Sequence, residues 1–113
     1  LHVNTSYLTA VANDYSFEMV YARMVNAMGR KGDMLVGLST SGNSPNIVKA
    51  IDAASHLGMK TVGFTGAHGG LMKDKVNWLI NVPSTDTPRI QESHILLGHI
   101  LCELVEGAVF PKK

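Results

Sequence analysis

Asp33-Met-Leu-Val-Gly-Leu-Ser-Thr-Ser-Gly-Asn-Ser-Pro45 is the passage on which the fold turns. Its first half, Asp33 to Ser39, is an apolar run without polar alternation, which is how a strand buried on both faces reads. Its second half gathers hydroxyls around Gly42 and ends in Ser44-Pro45, an N-cap followed by a proline suited to the first helical position. Ile47, Val48, Ile51, Ala54 and Leu57 then recur at helical spacing, so a helix over Pro45 to Leu57 is predicted, closed by Gly58. Strand, short polar loop and capped helix together make part of a parallel βαβ unit.

The same grammar extends outward. Lys60 to Thr65 and Val76 to Val82 repeat the strand pattern, the second stopping at Pro83, and Leu1 to Val3 reads as the tail of a further strand. Phe17, Val20, Tyr21, Met24, Val25 and Met28 predict a helix over Tyr15 to Met28, with Asp14 as its N-cap and Gly29 as its stop. A last helix, Thr87 to Val109, opens at Asp86-Thr87-Pro88. At about 100° per residue, Ile90, Leu97, Leu101, Leu104, Val105 and Ala108 form one apolar face of it, with Leu96 and Ile100 nearly opposite. Such a helix is expected to be buried on both sides, in a large core or a subunit interface, and a chain of 113 residues has little core to spare. The alternation predicts an α/β fold: a three-layer parallel sheet flanked by helices.

Composition fits one domain. The sequence is 45% hydrophobic and 17% charged, which predicts a packed core. Ten Lys plus Arg against nine Asp plus Glu leave a formal charge of +1, which removes the electrostatic argument for nucleic acid or an anionic membrane as partner. No apolar run approaches the roughly 18 residues of a membrane span, and the first residues do not form a signal peptide. The single cysteine, Cys102, points to a reducing, cytoplasmic setting and reads as a small buried hydrophobe.

Ser39-Thr-Ser-Gly-Asn-Ser44 is the candidate site. A loop between a parallel strand and a helix N-terminus offers unpaired N–H groups, a favourable dipole and here four hydroxyls, which suits a phosphate monoester. Without the lysine of a P-loop, a sugar phosphate fits better than a nucleoside triphosphate with magnesium. On the last helix, Gln91 sits about 80° from His99 on the wheel. His94 points away from His99 and reads as a core histidine; His2, His56 and His68 have no neighbour at metal-ligand spacing.

These residues carry a resemblance. Leu38-Ser-Thr-Ser-Gly-Asn-Ser-Pro-Asn46, with Ala12-Asn-Asp14, Thr65-Gly66, Gly69-Gly70, Val82-Pro-Ser84, Arg89-Ile-Gln-Glu92 and Gly98-His-Ile-Leu-Cys-Glu-Leu-Val-Glu106, resembles the phosphoheptose isomerase family of sugar-isomerase (SIS) domains along essentially the whole chain. Ala67 and His68 depart from it, standing where the family has a basic residue and then an aspartate. The resemblance implies a SIS-type, flavodoxin-like sheet, with residues 1–113 as the carboxyl-terminal portion of the domain. The family's first strand, its Gly-Asn-Gly-Gly-Ser loop, and a helix bearing a His zinc ligand and the Glu proposed as base are then expected upstream of Leu1. It implies conversion of sedoheptulose 7-phosphate to D-glycero-D-manno-heptose 7-phosphate, a precursor of lipopolysaccharide heptose, by a cytoplasmic, zinc-binding homotetramer. It further implies that Asn13 and Asp14 contact substrate, and that Ser39, Thr40, Ser41 and Ser44 hold the phosphate and substrate. Gln91 would touch substrate and zinc, and His99 would be both zinc ligand and catalytic acid/base. The alternative is a non-catalytic SIS module that binds a sugar phosphate or a protein, as in the replication-initiator-associating relatives; Ser41, Pro45 and His99 favour the enzyme.

Overall fold

The computed structural model describes residues 4–110, so the strand tail expected at Leu1 to Val3 lies outside the described residues. The elements are α1 (Thr5–Asp14), a 3-10 turn (Phe17–Met19), α2 (Val20–Met28), β1 (Met34–Leu38) and α3 (Pro45–His56). They continue with β2 (Lys60–Thr65), a second 3-10 turn (Gly70–Asp74), β3 (Trp78–Asn81) and α4 (Thr87–Val109).

The amino-terminal region differs from the sequence reading. Asp14 does not cap the following helix; it is the last residue of α1, and the Tyr15 N–H donates back to Val11 O at 3.0 Å. The helix expected from Tyr15 begins only at Val20, after the 3-10 turn. α1 starts where the Asn4 side chain accepts from the Tyr7 N–H at 3.0 Å. It is anchored by Tyr7, whose hydroxyl donates to Val20 O at 2.9 Å.

The three strands pair in the order β1-β2-β3, all parallel. Pairing of Gly37 with Gly63 leaves a floor without side chains beneath Ile51 and Met72. A Cβ on Gly37 would stand 3.0 Å from Ile47 Cγ2, and one on Gly63 3.0 Å from Met72 Cε, so these glycines set how closely α3 and the second 3-10 turn approach the sheet. On that face Val48, Ile51 and Met72 form one buried cluster, and Val25, Ala50, Ala54 and Met59 another, joined by Leu35.

Strand alternation turns Met34, Val36, Leu38, Phe64 and Trp78 to the opposite face. There α4 meets Phe64 through His94, with ring centroids 5.7 Å apart. Beyond that contact cover runs out: Met34, Val36, Leu38 and Trp78 are exposed. Ile90 and His94 are the buried residues of α4, and Leu96, Ile100, Leu101, Leu104 and Val105 are exposed. The described part of this chain therefore does not bury α4 on either side past its second turn. Cys102 shares that exposure and is not the buried hydrophobe the sequence suggested.

Candidate active site

β1 ends at Leu38 and the chain turns over Ser39 to Ser44 into α3. Ser39 is buried, with its N–H donating to Phe64 O at 3.0 Å, so the loop is pinned to the end of β2. Its hydroxyl lies 2.8 Å from that of Ser44. Ser44 occupies the N-cap position of α3 without making a side-chain cap bond, a departure from the expectation, because its hydroxyl is turned to Ser39. At the helix start Pro45 has no N–H, Ile47 donates to Ser44 O at 3.0 Å and to Asn46 Oδ1 at 2.9 Å, and Val48 donates to Ser44 O, so the N–H left open in the first turn is that of Asn46. The N–H groups of Thr40, Ser41 and Asn46 donate to nothing among the described residues.

Gly42 makes this loop possible. Its φ is +70°, and a Cβ there would lie 2.1 Å from Gly69 O. The Ser39–Ser44 loop and the Gly69-Gly70 turn are thus in backbone contact, fastened by Met72 N–H to Gly42 O at 3.1 Å and Leu71 N–H to Asn43 Oδ1 at 2.8 Å. Ser41 Oγ accepts from the Asn43 N–H at 3.2 Å and braces the outer bend.

Two concavities flank the loop. A cleft of about 520 Å³ is lined by Leu38, Ser39, Thr40, Ser44, Gln91, His94 and Ile95. A smaller one, about 170 Å³, is lined by Thr40, Ser41, Ala67, His68, Ser84, Thr85, Thr87 and Ile90. The structure therefore brings Ser39, Thr40, Ser44 and Gln91 together, with Thr40 bordering both spaces and Ser41 the second. Asn13 and Asp14, exposed at the end of α1, line neither, and neither does His99. His94 and Ile95, which the sequence reading left out of the site, do line the cleft: Gln91, His94 and Ile95 share one helix face at spacings of three and four. His94 is 2% exposed, and its Nε2 lies 3.1 Å from Thr65 O, as a core histidine should.

The lining side chains carry donors and acceptors but no lysine, arginine or carboxylate. Phosphate recognition here would rest on hydroxyls, backbone N–H groups and the α3 dipole. Zinc is a poorer match to the described residues alone. Gln91 and His99 are eight residues apart on a helix that runs unbroken through Gly98, about 12 Å along its axis. Among the described residues no three His, Cys, Asp or Glu side chains converge on one point. Two distant donors fall short of the four that zinc takes, so these residues do not close a zinc site by themselves.

Sequence and fold agree with known proteins. Phosphoheptose isomerase of Burkholderia pseudomallei (strain 1710b) is 53% identical over 113 residues, all of this chain and 57% of that protein. That of Rhodospirillum rubrum is 56% identical over 109 residues, 96% of this chain and 58% of the relative. The chain thus spans less than two thirds of the length of these curated relatives. The solved phosphoheptose isomerase of Neisseria gonorrhoeae superposes with a TM-score of 0.88 at 46% identity, covering 91% of this chain and 59% of that one. A second, from Francisella tularensis, gives 0.87 at 37% identity, covering 90% and 55%. The SIS domain family model matches residues 1–66, the stretch that holds α1 through β2 and the Ser39–Ser44 loop. By this match over more than half its length, and by its parallel sheet and loop, the chain belongs to the SIS domain family.

Proposed function

We propose that this chain supplies the phosphate-anchoring part of a phosphoheptose isomerase active site acting on sedoheptulose 7-phosphate. The observation that carries the reading is the Ser39–Ser44 loop: hydroxyls, the open N–H groups of Thr40 and Ser41 and that of Asn46 in the first turn of α3, bordering a cleft large enough for a sugar phosphate. Relatives at about half identity that carry this name support it. Aldose–ketose isomerisation moves a proton between adjacent carbons, and an anchored phosphate holds those carbons where acid and base can act. In this reading Ser39, Thr40, Ser41 and Ser44 hold the phosphate and substrate, and Gln91 orients the sugar from the facing helix. The proposal extends to Asn13 and Asp14 as substrate contacts. It extends also to His99 as acid/base and zinc ligand, with Gln91 and donors from outside the described residues, and to a cytoplasmic homotetramer.

The complete protein tests it. Purified wild type should interconvert sedoheptulose 7-phosphate and its aldose isomer, and absence of turnover would overturn the assignment. Ser44→Ala removes a hydroxyl from the lining of the cleft. A hydrogen bond to a charged phosphate is worth about 1.5–3 kcal/mol, so affinity should fall by roughly ten- to a hundredfold. Calorimetry showing undiminished affinity in S44A would remove that hydroxyl from the phosphate site.

A further inference from the structure

His94 does more than fill the core: we infer that its Nδ1 accepts a hydrogen bond from a hydroxyl of the sugar chain, making it a substrate-positioning residue. The inference rests on the sugar-phosphate reading of the cleft and deepens it. Nε2 lies 3.1 Å from Thr65 O. A carbonyl oxygen can only accept, so Nε2 carries a proton, and in the tautomer that holds this proton alone Nδ1 is a bare acceptor. Nδ1 has no hydrogen-bond partner among the described residues. Yet none of their fully buried side-chain nitrogens or oxygens is left unpartnered, so Nδ1 must reach open space. The open space that His94 borders is the cleft shared with Ser39, Thr40, Ser44 and Gln91.

The remaining contacts fix the ring. It is 2% exposed, packs against Phe64 at 5.7 Å between centroids, and is tied to the end of β2 at the residue before Gly66. The acceptor is therefore held on a rigid mount, as positioning of a flexible polyol requires. The ligand class follows from polarity. A bare imidazole nitrogen matches a hydroxyl donor and is indifferent to, or repelled by, a phosphate dianion. Loop and histidine thus divide the ligand between them, the loop taking the phosphate and His94 a hydroxyl.

Two amide variants of the complete protein separate this role from core support. His94→Gln sets an amide N–H near the place of Nε2, keeping the bond to Thr65 O and losing the acceptor. His94→Asn sets an amide oxygen near the place of Nδ1, keeping the acceptor and losing the bond to Thr65. Affinities for sedoheptulose 7-phosphate and for inorganic phosphate are measured by calorimetry on both variants and wild type. H94Q should bind the sugar phosphate roughly three- to tenfold more weakly, the worth of one neutral hydrogen bond, with inorganic phosphate affinity unchanged. H94N should bind the sugar phosphate more tightly than H94Q does. Equal sugar-phosphate affinity in H94Q and wild type would overturn the inference and leave the isomerase reading standing. Parallel losses for both ligands in both variants would likewise overturn it, since His94 would then be structural alone. Wild type that binds inorganic phosphate but not the sugar phosphate would overturn the isomerase reading and this inference with it.

Discussion

At the scale of single residues, Gly42 carries the most consequence per atom. Two penalties meet there: a φ of +70° and a site where a Cβ would press to 2.1 Å from Gly69 O. Gly32 separates them, because its φ is +97° but nothing lies within 4 Å of an added Cβ. Gly32→Ala should cost only backbone strain, about 1–2 kcal/mol. Gly42→Ala adds the displacement of a backbone carbonyl and should cost about 3 kcal/mol or more, with loss of phosphate binding as the loop shifts. Urea midpoints of the two variants in the complete protein check this; equal midpoints would mean that the loop and the Gly69-Gly70 turn are not in contact. The sequence places Gly42 at the centre of the hydroxyl-rich loop. That its close neighbour is the protein's own Gly69 could not be read, because it depends on the packing of two loops that lie far apart in the chain.

At the scale of elements, strong periodicity was legible and weak periodicity was not. α3 and α4 fall where their apolar spacing and proline-marked starts put them, and the β-strands lie within their apolar runs. α1 was illegible because its Thr, Ser and Ala residues make no stripe and Val11 is its buried residue. Missing it made Asp14 look like the start of a helix when it is the end of one. α4 shows the opposite limit: its boundaries were plain and its environment was not. A helix about 35 Å long is held by its first two turns, at Ile90 and His94, and then extends with its apolar side chains exposed. Helical hydrogen bonds without tertiary cover open easily. Hydrogen exchange on the 113-residue chain carrying the Met34→Lys and Leu104→Lys substitutions, which keep it from associating, should therefore find amides from Leu97 onward exchanging far faster than those of Phe64 and Thr65 in β2. Uniform protection along α4 would show that something covers it.

At the scale of the whole molecule, the radius of gyration is 14.8 Å, against about 13 Å for a compact chain of this length. The excess fits a projecting α4 and a sheet whose better-covered face is the one under α3. β1 pairs with β2 on one side and has no strand partner on the other among the described residues. It also carries Met34, Val36 and Leu38 exposed, where a parallel sheet is normally buried on both faces. An open edge beside exposed apolar side chains is a template for association. The cleft shows a matching chemical gap: hydroxyls, an amide and an imidazole line it, but no carboxylate does. Anchoring and proton transfer should therefore separate when the 113 residues are expressed alone. The isolated chain should retain weak sugar-phosphate binding, show no isomerase turnover above background, and sediment as mixed oligomers at micromolar concentration. Met34→Lys together with Leu104→Lys places charge on both exposed surfaces and should shift that distribution toward monomer. A monodisperse wild-type monomer would mean that the open edge and α4 do not govern association. Full turnover from the isolated chain would place the base within these residues, where His94 is the titratable side chain lining the cleft.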